Sequence, residues 1–234
     1  MIKDKKHFAM GMALSISFLV VLAIMFSPVF GGHNAFKASD QLFNSLAKGS
    51  AYYIPDLLDQ TRSLTNDEFS VTIWVGSEQV AANAVKILGM NGAQVVKGTG
   101  ELKVSGKLGP LMEAAVKDAD SMYFNRAEEI SGKYGCSGPE ALYAWWKSLK
   151  EIQKVLKEQK QFKLDAAMGP ILGKGIEMSY NFYQIEPVKV TQKAGILGFA
   201  LIFYVVYTLW WGFAIFYLFE GIGLNMTKGA KKEV

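Results

Sequence analysis

Two hundred and thirty-four residues, half of them hydrophobic, suffice for one or two domains, and the formal charge of +4 averages over unlike parts. A single cysteine, Cys136, excludes an intrachain disulfide and a C-x-x-C-H haem attachment. One cysteine and two histidines also cannot supply a four-ligand structural zinc site.

In chain order, a short tail (1–7) carries Lys3, Lys5 and Lys6. Phe8–Phe30 follows, 23 residues without a charge. At about 1.5 Å per residue this run exceeds the roughly 30 Å hydrocarbon core of a bilayer, which predicts a first transmembrane helix over 8–30. A signal peptide also begins with a basic tail, but "SPVFGGHNAF" offers no convincing small-x-small cleavage pair and no lipobox cysteine. An uncleaved anchor is the expectation.

The segment 31–193 is predicted to be one α+β domain. Ser39 is a candidate cap for a short helix ending near Lys48-Gly49, and Tyr52–Leu64 reads as a second helix with Pro55 in its first turn. Phe69, Val71, Ile73 and Val75 alternate with Ser70, Thr72 and Trp74, the pattern of a half-buried strand. Ser77 opens a helix bearing Val80, Ala81, Ala84, Val85 and Leu88. "AQVV" and "ELKVSG" predict a hairpin about Thr99-Gly100, and Gly109-Pro110 begins another helix. The resulting β-α-β-β-α module, about 68–125, resembles a ferredoxin-like fold lacking one outer strand, or a small open sheet covered by two helices.

A helical part is predicted over about 137–186. Ser137-Gly138-Pro139-Glu140 is a capping box with proline in the first turn. Leu142, Trp145, Trp146, Leu149, Ile152 and Leu156 mark one face of a long helix reaching about Phe162. Lysines and glutamates interleave on its other face, the pattern of a solvated helix, so nucleic acid is not an expected partner. After Asp165 a looser helix is expected to break at Gly169-Pro170 and Gly173. "GPILGKG" has too few residues between its glycines, and no Ser/Thr after Lys174, for a phosphate loop.

Ala194–Phe219, 26 uncharged residues, predicts the second transmembrane helix over 194–219, followed by a tail, 220–234, with Lys228, Lys231 and Lys232. Removing the six tail lysines from 25 Lys+Arg leaves 19, and removing Asp4, Glu220 and Glu233 from 21 acids leaves 18. The central segment is thus near neutral. Basic short flanks stay inside, so both termini are expected in the cytoplasm and the domain outside it, periplasmic in a bacterium. Lys189 and Lys193 weigh against that orientation.

Nine of the 19 residues in "FYVVYTLWWGFAIFYLFEG" (Phe203–Gly221) are aromatic. Tyr and Trp favour the interfaces of a span, whereas Tyr204, Tyr207 and Trp211 form a stripe near its middle. With Gly198 and Gly212 as places of close approach, they are the candidate interface with other integral membrane subunits. His7 and His33 are candidate haem ligands only with a ligand from another subunit. They lie about 39 Å apart along a helix, and interfacial anchoring explains them. No spacing among Glu128-Glu129 or Asp118/Asp120 singles out a general acid and base, and a solvated surface explains those carboxylates. Cys136 has no neighbouring base and reads as inert.

Neither catalytic residues nor a metal or cofactor is therefore expected. The leading expectation is a non-catalytic accessory subunit of a multi-subunit membrane complex in contact with the lipid bilayer, with an energy-transducing or respiratory assembly as the first candidate. The runner-up is an extracytoplasmic ligand-binding or sensing module that regulates a membrane partner, with Ser70, Thr72 and Trp74 as its candidate groups. A third is a quinone- or haem-contacting electron-transfer subunit.

Overall fold

The computed structural model describes residues 2–224. Lys228, Lys231 and Lys232, which carry half of the topology expectation, lie outside the described residues. The chain divides into two compact units, residues 44–188 and the flanking segments 1–43 with 189–234.

Helix α1 (Lys5–Phe26) is capped by Asp4, whose carboxylate accepts from the backbone N–H of Lys6 at 2.9 Å and of His7 at 3.1 Å. Past it, Gly31 and Gly32 take positive φ in a tight turn that brings Phe30 and His33 into a backbone bridge. Helix α2 (Ala35–Ser50) starts four residues before the expected Ser39 cap. Asn34 does the capping, its Oδ1 accepting from Lys37 N–H at 2.9 Å, since Asn serves as well as Ser there.

Helix α3 (Ile54–Arg62) has Pro55 in its first turn. Strand β1 (Glu68–Ile73) alternates exposed and buried side chains, with Phe69, Val71 and Ile73 inward. Ser77 caps α4 (Glu78–Met90), whose Ala84, Ile87 and Leu88 are buried. Strands β2 (Gln94–Lys97) and β3 (Leu102–Lys107) form the hairpin, with β3 central in an antiparallel sheet of order β1-β3-β2. Val104 faces Val71 on one side and Val95 on the other. Strands β1 and β2 therefore run parallel on either side of β3, the split β-α-β arrangement. Helix α5 (Leu108–Tyr123) enters immediately, and a Cβ at Gly109 would lie 2.6 Å from the Leu64 and Thr65 backbone, so only glycine fits that approach.

Helix α6 (Ala127–Tyr134) ends on left-handed Gly135. Helix α7 (Gly138–Glu158) has the full capping box between Ser137 and Glu140 and buries Trp145, Leu149, Ile152 and Leu156 against the sheet and α5. It stops four residues short of Phe162, at a turn in which Lys160 adopts a positive φ. The expected break at Gly169-Pro170 and Gly173 does not occur. Helix α8 (Phe162–Pro170) runs directly into a π-helix (Ile171–Glu177) and then α9 (Met178–Asn181). Pro170 removes one i→i−4 donor, and the wider i→i+5 turns continue the helical run past it. A 3₁₀ turn (Val190–Lys193) leads into α10 (Ala194–Gly221). The molecule is thus a mostly helical α+β protein with a small three-stranded antiparallel sheet and two long apolar helices near its ends. Those helices, α1 with 22 residues and α10 with 28, are largely exposed and long enough to cross a membrane.

Candidate functional site

The sequence-predicted membrane residues divide between two settings. Tyr207 and Trp211 turn towards α1, where Tyr207 stacks on Phe18 and Trp211 packs on it at a tilt, with ring centroids at 4.4 and 4.5 Å. Trp210 donates its indole N–H to the Leu14 carbonyl at 3.1 Å, so α1 satisfies that polar atom within the chain. Tyr204, eleventh residue of α10, is 67% exposed, and its hydroxyl meets no partner among the described residues. The close approaches fall elsewhere than Gly198 and Gly212, both of which face open space. A Cβ at Gly11 would lie 2.6 Å from Leu218 N, and one at Gly221 would lie 2.6 Å from Phe8. Gly11 lacked a glycine partner four residues away, so the spacing did not mark it.

His7 is held at the same end. Its Nδ1 lies 2.6 Å from Asp4 Oδ2 and its Nε2 lies 3.6 Å from Glu220 Oε2, while the ring stacks on Tyr217. His33 sits in the Gly31-Gly32 turn. The two histidines are not brought together. Among the described residues no group of three or more His, Cys, Asp and Glu side chains is placed to hold a metal.

Three features of residues 44–188 went unread in the sequence. The first is an aromatic groove, about 240 Å³, lined by Tyr143, Trp146, Ile176, Glu177, Tyr180 and Asn181. Trp146, placed on the buried face by periodicity, is half-buried and donates its indole N–H to Glu177 Oε1 at 2.6 Å. Ser70 and Thr72, by contrast, lie on the open sheet face, and the Trp74 ring carries the Lys147 ammonium 5.5 Å above it.

The second is Lys48, fully buried at the end of α2. Its Nζ donates to Asn125 Oδ1 at 3.2 Å, Phe182 O at 2.9 Å and Ile185 O at 2.5 Å. Burial holds its pKa below the usual lysine value, opposed by the nearby Glu186 charge. The third is Asp118, which is buried and not part of a solvated surface as expected. It accepts from Tyr134 Oη at 2.5 Å, Trp145 Nε1 at 2.8 Å and Lys133 Nζ at 3.1 Å. Asp120 accepts from Tyr52 Oη at 2.8 Å. Burial, then Glu140, raises the Cys136 thiol, which keeps it protonated.

These settings give an alkaline signature. Tyr52 is pushed up to about 12 by burial and by Asp120, and burial also raises Tyr123 and Tyr134. Each holds its proton in the folded chain where an unfolded tyrosine, near pH 10, releases it. Their stabilisation is therefore complete below pH 10 and is lost as pH rises through the folded values. Lys48, with a lowered pKa, acts oppositely only up to its ordinary value of 10.5. The expected result is a denaturation midpoint that falls between about pH 10 and 12, with a shallower fall in Tyr134→Phe. A midpoint that does not change across that range would refute it.

Compared with known protein families, characterised proteins and solved structures, the chain matches none.

Proposed function

We propose that the protein is a membrane-anchored, non-catalytic subunit of a larger membrane complex. In this reading α1 and α10 span the bilayer, residues 44–188 fold on its extracytoplasmic side, and the Tyr204 face of α10 meets a helix of a partner subunit. The observation that supports it is the Tyr204 hydroxyl. It lies about 15 Å along the roughly 42 Å of α10, within hydrocarbon depth, and an unpaired hydroxyl in an apolar medium costs about 1–3 kcal/mol. Helix α1 takes up Tyr207, Trp210 and Trp211 but leaves Tyr204. An acceptor on a neighbouring helix removes that cost. Leu201, 69% exposed and three residues away, extends the same stripe.

Leu201→Ala with Tyr204→Ala tests this without touching the rings that hold α1. Membrane insertion is expected to be normal, and subunits that co-purify in mild detergent are expected to be lost. Retention of all of them would show that the face meets lipid. Reporter fusions within 100–130 are expected outside the cytoplasm, and a cytoplasmic signal there would overturn the orientation. The ligand-binding reading draws its support from one observation, the aromatic groove beside the π-helix, since π turns are frequent at functional sites.

A further inference from the structure

The groove brings together groups of one chemical character from two elements. Tyr143 and Trp146 come from α7, with stacked rings 5.8 Å apart. Tyr180 comes from α9, and Glu177 closes the π-helix between them. Tyr143 and Tyr180 are 42% and 43% exposed, so their rings are open to a visitor. Among the described residues, the Glu177 carboxylate is engaged through Oε1 alone, by the Trp146 indole N–H, which leaves Oε2 available. None of the lining residues is a cation.

We propose that this groove is a binding site for a small methylated ammonium, the trimethylammonium group of a solute or of a lipid headgroup. Aromatic faces attract cations through the ring quadrupole, Trp most strongly, and aromatic cages for quaternary ammonium groups work this way. The Trp146 ring already does so within the chain, because the Lys150 ammonium lies 4.3 Å from its centroid. Glu177 supplies a compensating charge at the groove wall. Size restricts the guest, since about 240 Å³ lies below the roughly 300 Å³ at which ordinary small-molecule sites begin. Hydrogen bonding restricts it further. A primary ammonium carries three donors to satisfy, and the acceptors of the lining, Glu177 Oε2, the Asn181 amide oxygen and the Tyr143 and Tyr180 hydroxyls, would have to converge on its one nitrogen. A quaternary group makes no such demand.

The test uses the full chain in maltoside micelles, titrated with choline chloride, tetramethylammonium chloride, ethanolamine and potassium chloride, and read by calorimetry. Saturable binding of choline and tetramethylammonium is expected, at least about tenfold tighter than ethanolamine or potassium. Trp146→Leu and Glu177→Gln should each weaken it by about tenfold. Lys150→Gln should tighten it, because it removes a cation that competes for the same ring. Tyr143→Ala and Tyr180→Ala, at exposed positions that leave the fold unchanged, should weaken it several-fold. A soluble short-chain phosphatidylcholine that outcompetes choline, with the same variants weakening both, identifies a lipid headgroup. Choline binding without phosphatidylcholine binding identifies a free solute. No saturable binding by either quaternary ion, equal affinity for potassium, or unchanged affinity in Glu177→Gln and Tyr180→Ala would overturn the proposal.

Discussion

Lys48→Glu is expected to unfold residues 44–188 in the absence of any stabilising ligand. Its ammonium is fully buried, donates to three oxygens, and lies 5.1 Å from the Tyr123 ring. A carboxylate in its place faces the same oxygens, and the amide donor beside them, Asn125 Nδ2, is already given to Ile185 O and Glu186 Oε1. Leaving a buried charge uncompensated costs about 3–5 kcal/mol, which is all the stability of a domain at the low end of the ordinary range of about 5–15 kcal/mol. Lys48→Met is the control. There Asn125 Oδ1 still accepts from Gln184 N–H, Phe182 O from Ile185 N–H and Ile185 O from Asn125 Nδ2, so none of the three acceptors is orphaned. Relief from burying a charge further limits the loss, to about 1–2 kcal/mol. Denaturant titration of both variants, followed by tryptophan fluorescence, checks the order. A glutamate variant within about 1 kcal/mol of the parent would mean that the ammonium is not held at this place.

Trp145→Ala is expected to be nearly as severe, by a different route. The side chain is fully buried and contacts both the sheet and the helices around it. Its removal leaves a cavity that costs about 3–5 kcal/mol. It also takes one of three donors from the buried Asp118 carboxylate. Trp145→Phe keeps most of the volume and loses only the indole hydrogen bond, for about 1–3 kcal/mol. Melting both variants separates packing from polarity. A phenylalanine variant as unstable as the alanine variant would mean that Asp118, and not the cavity, sets the cost.

The features legible in the sequence are those written in local patterns. The alternation Phe69-Val71-Ile73, the Ser77 cap, the Ser137–Glu140 box and the uncharged runs each depend on residues a few positions apart, and each has its counterpart in the structure. The misread features depend on partners far along the chain. Lys48 marked only the expected end of a short helix, yet its acceptors lie in residues 125–185. Asp118 looked like surface because its donors, Tyr134 and Trp145, are 16 and 27 residues away. Trp146 fitted the buried stripe of α7, and nothing within a helical turn announced Glu177, 31 residues on. Pro170 and its flanking glycines pointed to a stop because proline usually ends an α-helix, and the π turns are the exception that periodicity does not encode. In the second apolar run the stripe of Tyr204, Tyr207 and Trp211 was visible, but how α1 divides it was not.

One backbone contact bears on how such a chain is assembled. Val188 N–H donates to Ser45 O at 3.0 Å, and a Cβ at Gly49 would collide with the Val188 backbone, so residues 44–188 begin and end side by side. A folded stretch with adjoining ends is a cassette: it can be lifted out, circularly permuted, or carried in another loop without stretching its host. Deleting it and closing 43 to 189 with a short turn should leave the two apolar helices as a minimal hairpin. The same adjacency makes either helix replaceable by one from another protein, because the cassette requires of its host only two nearby points of attachment.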